Sequence, residues 1–311
     1  MNVLETVDAA GLLKHGRSVV VLLSGGRDST CLLDLAVRIC GAEVVTALHV
    51  NYGLREDTEL DERHCRELCG RLGVHIELNR AQAPERGNIQ AWAREVRYGA
   101  ARDLAAGSDV AAGHTASDQV ETILYRLASS PSRRALLGMQ PRDGDLVRPL
   151  LGITRAQTGA YCRERSLSWR EDPSNENQEF ARARIRAKLV PALREIHPAA
   201  EQNVLALAEL LREDAEVLDG LLDEILQGAG QIELGRLREL PLALARLLVQ
   251  RLADDAAGRP APGTARRVEE ISQLGNRAAL DLPHGVRALV EGGVLRFEAH
   301  MPNHRRAQAS K

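Results

Sequence analysis

The chain has 311 residues, of which 44% are hydrophobic, 27% are charged and only 3% are aromatic, and its formal net charge is −2. These values are typical of a globular protein, and the length allows two domains with a sizeable core. The scarcity of aromatic side chains argues against an RNA-binding surface that works by base stacking.

The sequence predicts neither a membrane span nor a secretory leader. No apolar stretch approaches the roughly 18 residues that a membrane helix needs. The segment 1–16 carries the acids Glu5 and Asp8 and lacks a small-residue cleavage site. We therefore expect a cytoplasmic protein without a membrane partner.

Strand and helix patterns alternate four times in the first 130 residues. The run 18–23 is apolar and β-branched, and 28–40 follows it with apolar residues at helical spacing. Further predicted strands cover 44–50, 74–78 and 109–113, and further predicted helices cover 58–72, 88–106 and 116–128. This alternation predicts an α/β fold with a parallel sheet, whose ligands bind at the carboxyl ends of the strands.

The remaining sequence predicts a different organisation. Residues 129–151 are rich in Pro and Gly and indicate an irregular substrate loop. A helix opened by a Thr cap is predicted at 154–165, and further helices are predicted at 182–193 and 201–226, with a polar loop at 169–178. Two more helices follow from about residue 228, and short strands at 279–282, 286–290 and 294–298 come last. We predict a catalytic domain with tRNA-contacting helices over 1–205 and a smaller, tRNA-binding C-terminal α+β domain over 206–311.

Five cysteines are present, at positions 31, 40, 65, 69 and 162. An odd number in a protein expected inside the cell argues against a disulfide framework. Cys65 and Cys69 stand four residues apart on a predicted helix and do not form a Cys-x-x-Cys motif. Buried structural thiols are the favoured interpretation, and a role in metal binding or sulfur transfer is the alternative.

One region of the chain is markedly basic. Between Arg133 and Arg194, 13 Arg and Lys residues outnumber 7 Asp and Glu residues, so this segment carries +6 and the rest carries −8. Such a region on a mildly acidic protein indicates a surface for a polyanion. A solvated helical face is the alternative interpretation.

The loop between the first predicted strand and its helix reads Ser24, Gly25, Gly26, Arg27, Asp28 and Ser29. Its glycines allow close approach of a ligand, and the amides at the start of the helix favour a phosphate. The hydroxyls of Ser24 and Ser29 can bind the same anion. A carboxylate beside phosphates is repelled unless a cation lies between them, so Asp28 is predicted to bind Mg²⁺. A plain Gly-Gly turn is the alternative.

This loop resembles the PP-loop of the N-type ATP pyrophosphatases, which share the pattern Ser-Gly-Gly-x-Asp-Ser. The group includes GMP synthetase, argininosuccinate synthetase, NAD synthetase and several tRNA-modifying enzymes. The resemblance implies a nucleotide-binding domain like that of the adenine nucleotide alpha hydrolases, in which residues 24–29 bind the phosphates of ATP. It also implies an adenylated intermediate and release of pyrophosphate.

A second motif, Gly-His-Thr-Ala-Ser-Asp-Gln-Val-Glu-Thr at 113–122, resembles the His-x-x-Asp-Asp-Gln-x-Glu-Thr signature of the tRNA(Ile)-lysidine synthase family. Further matches to that family lie at 88–91, 93–94, 97–98, 148–151, 169–175 and 182–186. The resemblance covers roughly residues 17–195. Because the motifs follow the family's order, they are far more specific together than any of them alone.

The residues of the second motif support an amine site. Asp118 and Glu121 are spaced i, i+3 on a predicted helix, so both carboxylates can reach one cation. A lysine substrate can offer its α-ammonium to this pair while its ε-amine stays free to attack. Satisfaction of the helix dipole is the alternative. His114, at the end of the preceding strand, either contacts ATP or caps the loop.

Arginines supply the remaining candidates. We assign catalytic roles to Asp28, Asp118 and Arg94; Arg94 and Arg97, one helical turn apart, suit the phosphates or the target base, or are surface charges. The resemblance implies that the basic region contacts tRNA, and the candidates are Arg133, Arg134, Arg182, Arg184 and Arg186. A helix face on which Arg182 and Arg186 form salt bridges with Glu179 is the alternative.

The resemblance implies a reaction in two steps. ATP first adenylates the C2 oxygen of the wobble cytidine in an isoleucine tRNA with a CAU anticodon. The ε-amine of free L-lysine then attacks C2 and displaces AMP, which gives lysidine. ATP and Mg²⁺ are the expected cofactors, and a homodimer is one expected assembly because members of the family are often dimeric.

The sequence also departs from the family pattern. Ser117 stands where the signature has its first Asp, Ala183 stands where Asn is common, and 128–132 replaces an Arg-Gly-Ser-Gly stretch. Two rival functions stay open: another enzyme with the same loop, and a paralogue in which Ser117 marks lost chemistry. One is a tRNA thiolase, although the Cys-x-x-Cys pairs of those relatives are missing from the sequence. The other is a non-catalytic paralogue that binds tRNA or nucleotide.

Overall fold

A computed structural model of the chain describes residues 2–54, 58–84, 87–130, 133–171 and 181–300. The chain divides into two units, Met1–Glu209 and Leu210–Lys311. The boundary lies inside a long helix, Ala200–Leu226. Within the described residues, no helix combines the length and the apolar character needed to cross a lipid bilayer.

The first unit is built on a six-stranded sheet. Its strands are β1 (Val19–Leu22), β2 (Val45–Asn51), β3 (His75–Arg80), β4 (Asp109–Ala111), β5 (Arg142–Asp143) and β6 (Leu146–Val147). They lie in the order β3-β2-β1-β4-β6-β5, and every neighbouring pair is parallel except the edge pair of β5 and β6. The predicted parallel sheet is confirmed.

Helices follow the strands as the sequence pattern predicts. They are α1 (Val3–Ala9), α2 (Arg27–Cys40), α3 (Thr58–Leu72), α4 (Ile89–Ala105), α5 (Ala116–Ser129), α6 (Arg155–Glu164), α7 (Ala181–Arg184), α8 (Val190–Ile196) and α9 (Ala200–Leu226). A π-helical turn, Ile185–Leu189, joins α7 to α8. Such turns recur at functional sites.

The central strand shows why the sheet is covered on both faces. Val19 and Val21 pack in one apolar cluster with residues of α2, whereas Val20 and Leu22 pack in a second cluster with residues of α4. Successive side chains of a strand point to opposite faces, so an all-apolar strand needs a helix on each side. This packing fixes the carboxyl end of β1 at the middle of the sheet edge.

Residues 129–151 differ from the expected irregular loop. They contain a 3-10 helix, Arg133–Leu137, and the hairpin of β5 and β6, which extends the sheet beyond β4. Each strand of the hairpin has only two residues. A segment of that length carries no measurable hydrophobic period, so the sequence pattern alone does not reveal it.

The second unit is an α+β arrangement with its own apolar core. Its antiparallel sheet has the strand order β7-β10-β9-β8. In the described residues, three α-helices shorter than α9 accompany this sheet. The strands are β7 (Gln231–Glu233), β8 (Ala279–Leu282), β9 (Val286–Glu291) and β10 (Val294–Ala299), and the helices are α10 (Leu234–Glu239), α11 (Leu242–Ala257) and α12 (Val268–Ser272). The predicted α+β class is correct; β7 and one helix were not predicted.

Candidate active site

A cavity of about 660 Å³ opens at the carboxyl ends of β1, β2 and β4. The loop 24–29 forms one side of it, and His114 and Asp118 form another. Leu48, Val50 and Ala112 give it an apolar wall. The loop 24–29 and the second motif, which follow β1 and β4 in the sequence, therefore line one cavity.

The loop 24–29 is held in shape by its own hydroxyls. Ser24 Oγ lies 3.0 Å from Ser29 Oγ, and Ser29 Oγ donates to the Gly26 carbonyl over 2.9 Å. Gly25 has φ +81°, a conformation that favours glycine, and Gly26 is the N-cap of α2. The first amides of a helix lack partners within it, so the loop presents donors suited to an anion.

The backbone of this loop packs closely against two other segments, at Gly113 and at Arg170. A Cβ on Gly113 would lie 3.3 Å from the Asp28 carbonyl carbon and oxygen and from the Ser29 nitrogen. The end of β4 is thus in backbone contact with the start of α2. On the other side, the Arg170 backbone N–H donates to the Gly25 carbonyl over 3.0 Å.

Three carboxylates converge on one guanidinium. Arg155 Nη2 lies 2.5 Å from Asp118 Oδ1, and its Nη1 lies 2.7 Å from Glu121 Oε1. Its Nε lies 3.6 Å from Asp28 Oδ2. Asp28 also accepts from the buried Thr158 hydroxyl over 2.5 Å. The predicted acid pair therefore does share one cation, and the cation is a side chain of the protein.

Asp118 lines the cavity and also stabilises the start of α5. It closes a capping box at the start of α5: its Oδ2 accepts from the Thr115 N–H over 2.8 Å and from the Thr115 hydroxyl over 2.7 Å. Burial by itself raises the pKa of Asp118, but Arg155 and the Thr115 bonds outweigh it and lower that pKa. Asp118 is therefore ionised at neutral pH.

Glu121 is the most deeply buried acid of the cluster, with a side chain only 4% exposed. Besides Arg155, it accepts two bonds from Arg186, at 2.7 Å from Nε and 3.0 Å from Nη2. Arg186 lies in the π-helical turn between α7 and α8. This arginine, predicted to contact tRNA, thus contacts the acidic side of the cavity.

His114 is a neutral side chain in the cavity wall. Burial lowers the pKa of His114 to about 4, and the Asp118 carboxylate opposes this only in part. The guanidinium groups of Arg148, Arg97 and Arg94 act in the same direction as burial. Its buried Nδ1 has no hydrogen-bond partner among the described residues, so a ligand could supply one.

The two arginines of α4 take different positions. Arg97 lines the cavity, whereas Arg94 is exposed and lies with its Cζ 4.7 Å from the ring centre of Tyr98. Tyr98 itself lines the cavity. Arg97 Nε and the Tyr98 hydroxyl are buried and have no hydrogen-bond partner among the described residues. Arg97 is therefore better placed for the cavity than Arg94.

The other predicted tRNA residues lie on two segments. Arg133 and Arg134 begin the 3-10 helix after α5, and Arg182 and Arg184 are exposed on α7. Glu179, the acid of the alternative interpretation, lies outside the described residues, as do residues 172–178 of the polar loop. The exposed pair suits a surface contact with a polyanion.

The sequence interpretation missed Arg155 and Thr158. Both come from the first turns of α6, whose Thr154 cap it did predict and the structure confirms. The position of α6 could therefore be predicted from the sequence, but the acids that Arg155 contacts come from α2 and α5. Pattern alone does not pair residues that are 34 or more positions apart.

The donor set of this site suits a metal shared with a ligand. Across the described residues, no group of three or more His, Cys, Asp or Glu side chains is arranged to hold a metal ion. Mg²⁺ commonly binds through one or two carboxylates together with substrate phosphates. Asp28, in the phosphate loop and part exposed, fits that use.

The cysteines match the structural interpretation. All five are buried and free. Burial raises the pKa of Cys69 to about 12 and raises the pKa of Cys65 as well. A protonated, buried thiol is a poor nucleophile and a poor metal ligand.

Comparisons with known proteins identify the family of the chain. A family model described as a PP-loop domain matches residues 2–193. The tRNA(Ile)-lysidine synthase of Gloeobacter violaceus is 38% identical over 268 residues, which cover 81% of each chain. That of Thermus thermophilus is 35% identical over 291 residues, covering 89% of this chain and 56% of the relative. Against several such relatives, the chain spans only about half their length.

A solved structure supports the fold alone. The U34-tRNA thiolase NcsA from Methanococcus maripaludis, with its [4Fe-4S] cluster, superposes with a TM-score of 0.56 at 16% identity. The match covers 68% of this chain and 78% of the thiolase. The family model spans more than half of the chain, and the Gloeobacter relative is matched over most of its length. The chain therefore belongs to the PP-loop ATP-binding enzymes and, within them, to the tRNA(Ile)-lysidine synthase family.

Proposed function

We propose that the protein is an ATP-dependent ligase that joins free L-lysine to C2 of the wobble cytidine in an isoleucine tRNA with a CAU anticodon. The observation that carries the proposal is one cavity that the loop 24–29 and Asp118 line together, with Glu121 linked to Asp118 through Arg155. The relatives named tRNA(Ile)-lysidine synthase support the choice of tRNA and amino acid.

The loop side suits ATP. Backbone donors at residues 24–29 match phosphate oxygens, and the apolar wall of Leu48, Val50 and Ala112 matches the flat face of an adenine. Neutral His114 offers Nδ1 to the nucleotide. We assign ATP binding to Ser24, Gly25, Gly26, Arg27, Asp28, Ser29 and His114.

Mg²⁺ belongs to this side of the proposal. Asp28 would hold the ion against the ATP phosphates, where Mg²⁺ would neutralise the charge that develops on the leaving pyrophosphate. Arg27, whose Nε lies 3.2 Å from Asp28 Oδ1, keeps the carboxylate oriented. Thr158 does the same from α6.

The acidic side suits the amino acid. Asp118 and Glu121 are held by shared hydrogen bonds, so they form a preorganised site for the α-ammonium of lysine. A lysine anchored by its α-carbon end can direct its ε-amine away from the acids. The uncharged form of that amine is the nucleophile.

The chemistry has two displacements. The C2 oxygen of cytidine attacks the α-phosphorus of ATP, the bond to the bridging oxygen breaks, and pyrophosphate leaves. The ε-amine then forms a bond to C2, the C2–O bond breaks, AMP leaves with its electron pair, and the amine loses a proton. Adenylation is needed because it converts a poor oxygen leaving group into a good one.

The exposed arginines suit the tRNA backbone. Arg182 and Arg184 on α7 lead directly to Arg186, which lines the cavity and contacts Glu121. A strand of RNA that follows this helix would arrive at the acidic side. Arg133 and Arg134 are proposed as further contacts, and tRNA binding by the C-terminal unit stays a prediction.

Two rivals predict different products. A thiolase would transfer sulfur and would need no lysine, and the buried, protonated thiols of Cys65 and Cys69 argue against it. A binding paralogue would release no pyrophosphate. The intact cluster of Asp28, Asp118 and Glu121 argues against that loss of chemistry.

The decisive experiment is mass spectrometry of the anticodon after incubation of the full chain with tRNA, ATP, Mg²⁺ and L-lysine. We expect cytidine heavier by one lysine minus one water, with pyrophosphate released in step. Omission of ATP or lysine should remove the product. A sulfur-containing base, or unmodified tRNA with every component present, would refute the proposal.

A further inference from the structure

Aromatic side chains are rare in this chain, and half of them gather at the cavity. The sequence contains two Trp, four Tyr and two Phe residues. Tyr52, Tyr98 and Trp169 line the cavity, and Trp92 contacts Tyr52. The aromatic content of 3% argued against a stacking surface spread over the protein. Concentration of these side chains at one cavity instead indicates a local stacking site.

Tyr52 is held at the cavity from two directions. Its ring centre lies 5.8 Å from that of Trp92 at an interplanar angle of 68°, an edge-to-face geometry that aromatic pairs favour. Trp92 does not line the cavity, so it supports the Tyr52 ring from outside. Asn51 Nδ2 donates to the buried Glu62 over 2.7 Å, and Asn51 Oδ1 accepts from the Gly53 N–H over 2.9 Å. Contacts within the protein therefore position this ring before a ligand binds.

Two guanidinium groups pack against the ring of Tyr98. Arg94 Cζ lies 4.7 Å from the ring centre, and Arg97 Cζ lies 5.2 Å from it. Arg97 is also a neighbour of Tyr52: burial raises the pKa of the Tyr52 phenol, and the Arg97 guanidinium opposes this rise. Two rings and one guanidinium, from Tyr52, Tyr98 and Arg97, therefore lie side by side in the cavity wall.

This part of the wall carries polar atoms that the protein leaves unpaired. For Arg97 Nε and the Tyr98 hydroxyl, the described part of the chain supplies no hydrogen-bond partner, although both atoms are buried. Buried polar groups normally have partners, so a ligand is expected to supply them. Arg97 Nε can only donate, whereas the Tyr98 hydroxyl can donate or accept. A nucleobase, with a flat face and an edge of donors and acceptors, matches both the rings and these atoms.

We propose that Tyr52, Tyr98 and Arg97 form a stacking site for the unpaired wobble base of the tRNA substrate. An enzyme that modifies a base must take it out of the stack of its neighbours, and an aromatic or guanidinium face replaces the lost contact. Trp92 is a positioning residue that acts through Tyr52. The apolar wall at the end of β2 is assigned to adenine, and Tyr52 comes after the last residue of that strand. The inference rests on the proposed function, because it concerns the target base of the same reaction.

The first test uses the unchanged protein and two RNAs. One is the full isoleucine tRNA with a CAU anticodon, and the other is the same tRNA without the wobble base but with its sugar and phosphate. Both carry the same phosphates, so the ratio of their Kd values measures contacts to the base. Without ATP or lysine, we expect the tRNA that lacks the base to bind about 20-fold more weakly, as for one stacked base. Equal affinities would overturn the inference.

The second test assigns this ratio to the rings. In Tyr52→Leu, which keeps apolar volume and loses the ring, the ratio should fall to about 3-fold. Tyr52→Phe should keep most of it, because the stacking face remains. Trp92→Leu should lie between these two, because it loosens the Tyr52 ring without removing it. Tyr125→Leu is the matched control at an exposed tyrosine of α5, and it should leave the ratio unchanged.

The possible failures give different results. If Tyr52→Leu weakens the binding of both tRNAs in parallel, Tyr52 is only a structural residue and the inference is wrong. If this variant keeps the ratio and raises the KM for ATP, the ring serves adenine, which also overturns the inference. If thermal melting shows that Tyr52→Leu does not fold, Tyr98→Leu decides, and an unchanged ratio there overturns the inference. An unchanged protein that distinguishes the two tRNAs but releases no pyrophosphate with tRNA, ATP and lysine would refute the proposed ligase and support the base site.

Discussion

The phosphate side of the cavity is made by six consecutive residues, whereas the acidic side is made by three helices. The loop 24–29 is stabilised by hydrogen bonds among its own serines and its own backbone. Asp118 and Glu121 instead depend on Arg155 and Arg186, which come from distant segments. A local motif can keep its shape through small changes elsewhere, but an assembled cluster depends on how its helices meet.

Asp28 belongs to both sides, so its loss should have the largest effect. Asp28→Asn should lower kcat about 1000-fold, because an amide cannot hold Mg²⁺ against the phosphates. Its Oδ1 can still accept from Thr158, so thermal melting should change little. Pyrophosphate release measures the activity, and Asp8→Asn, at an exposed acid of α1, is the control. Full activity of Asp28→Asn would refute the assignment of Asp28 as a magnesium ligand.

Glu121 tests the acidic side alone. Glu121→Gln keeps an acceptor for Arg155 but loses the charge that holds an ammonium. We expect the KM for lysine to rise about 30-fold and the KM for ATP less than about 3-fold. Steady-state kinetics with each substrate varied in turn give both constants. Glu164→Gln, an exposed change on α6, serves as the reference, and an unchanged lysine KM would refute the pocket.

The exposed arginines of α7 test whether RNA binding is separate from the acid cluster. Reversal of Arg182 and Arg184 to Glu should weaken tRNA binding about 10-fold and lower the salt slope by about 2. The KM for lysine at saturating tRNA should stay the same. Filter-binding titrations at several salt concentrations measure the slope, with Arg102→Glu as the control. Unchanged tRNA binding and an unchanged salt slope would favour the alternative that this segment is a solvated helical face.

Gly113 tests the phosphate side with the smallest expected effect. In Gly113→Ala, the new methyl group would press on the Asp28 carbonyl and the Ser29 nitrogen at 3.3 Å, so the loop must shift slightly. We expect the KM for ATP to rise about 5-fold with the KM for lysine unchanged. Gly70→Ala, with open space around its Cβ, is the control. Equal effects on both constants would mean that the two sides move together.

Much of the first unit follows from sequence periodicity. The predicted helix 58–72 coincides with α3, and the Thr cap predicted at 154 is the N-cap of α6. Long elements carry several turns of pattern, and caps have distinctive side chains. The two-residue strands β5 and β6 and the three-residue β7 carry too little pattern to be predicted.

The sequence by itself determined the phosphate loop and the acid pair of the second motif. Six neighbouring residues at a strand-to-helix junction specify the loop, and a three-residue spacing on one helix specifies the pair. Only the tertiary structure decided that Arg155 joins them and that Arg186 faces inward. The reason is that backbone periodicity is a local property, whereas the partner of a charged side chain depends on which helix ends the folded sheet brings together.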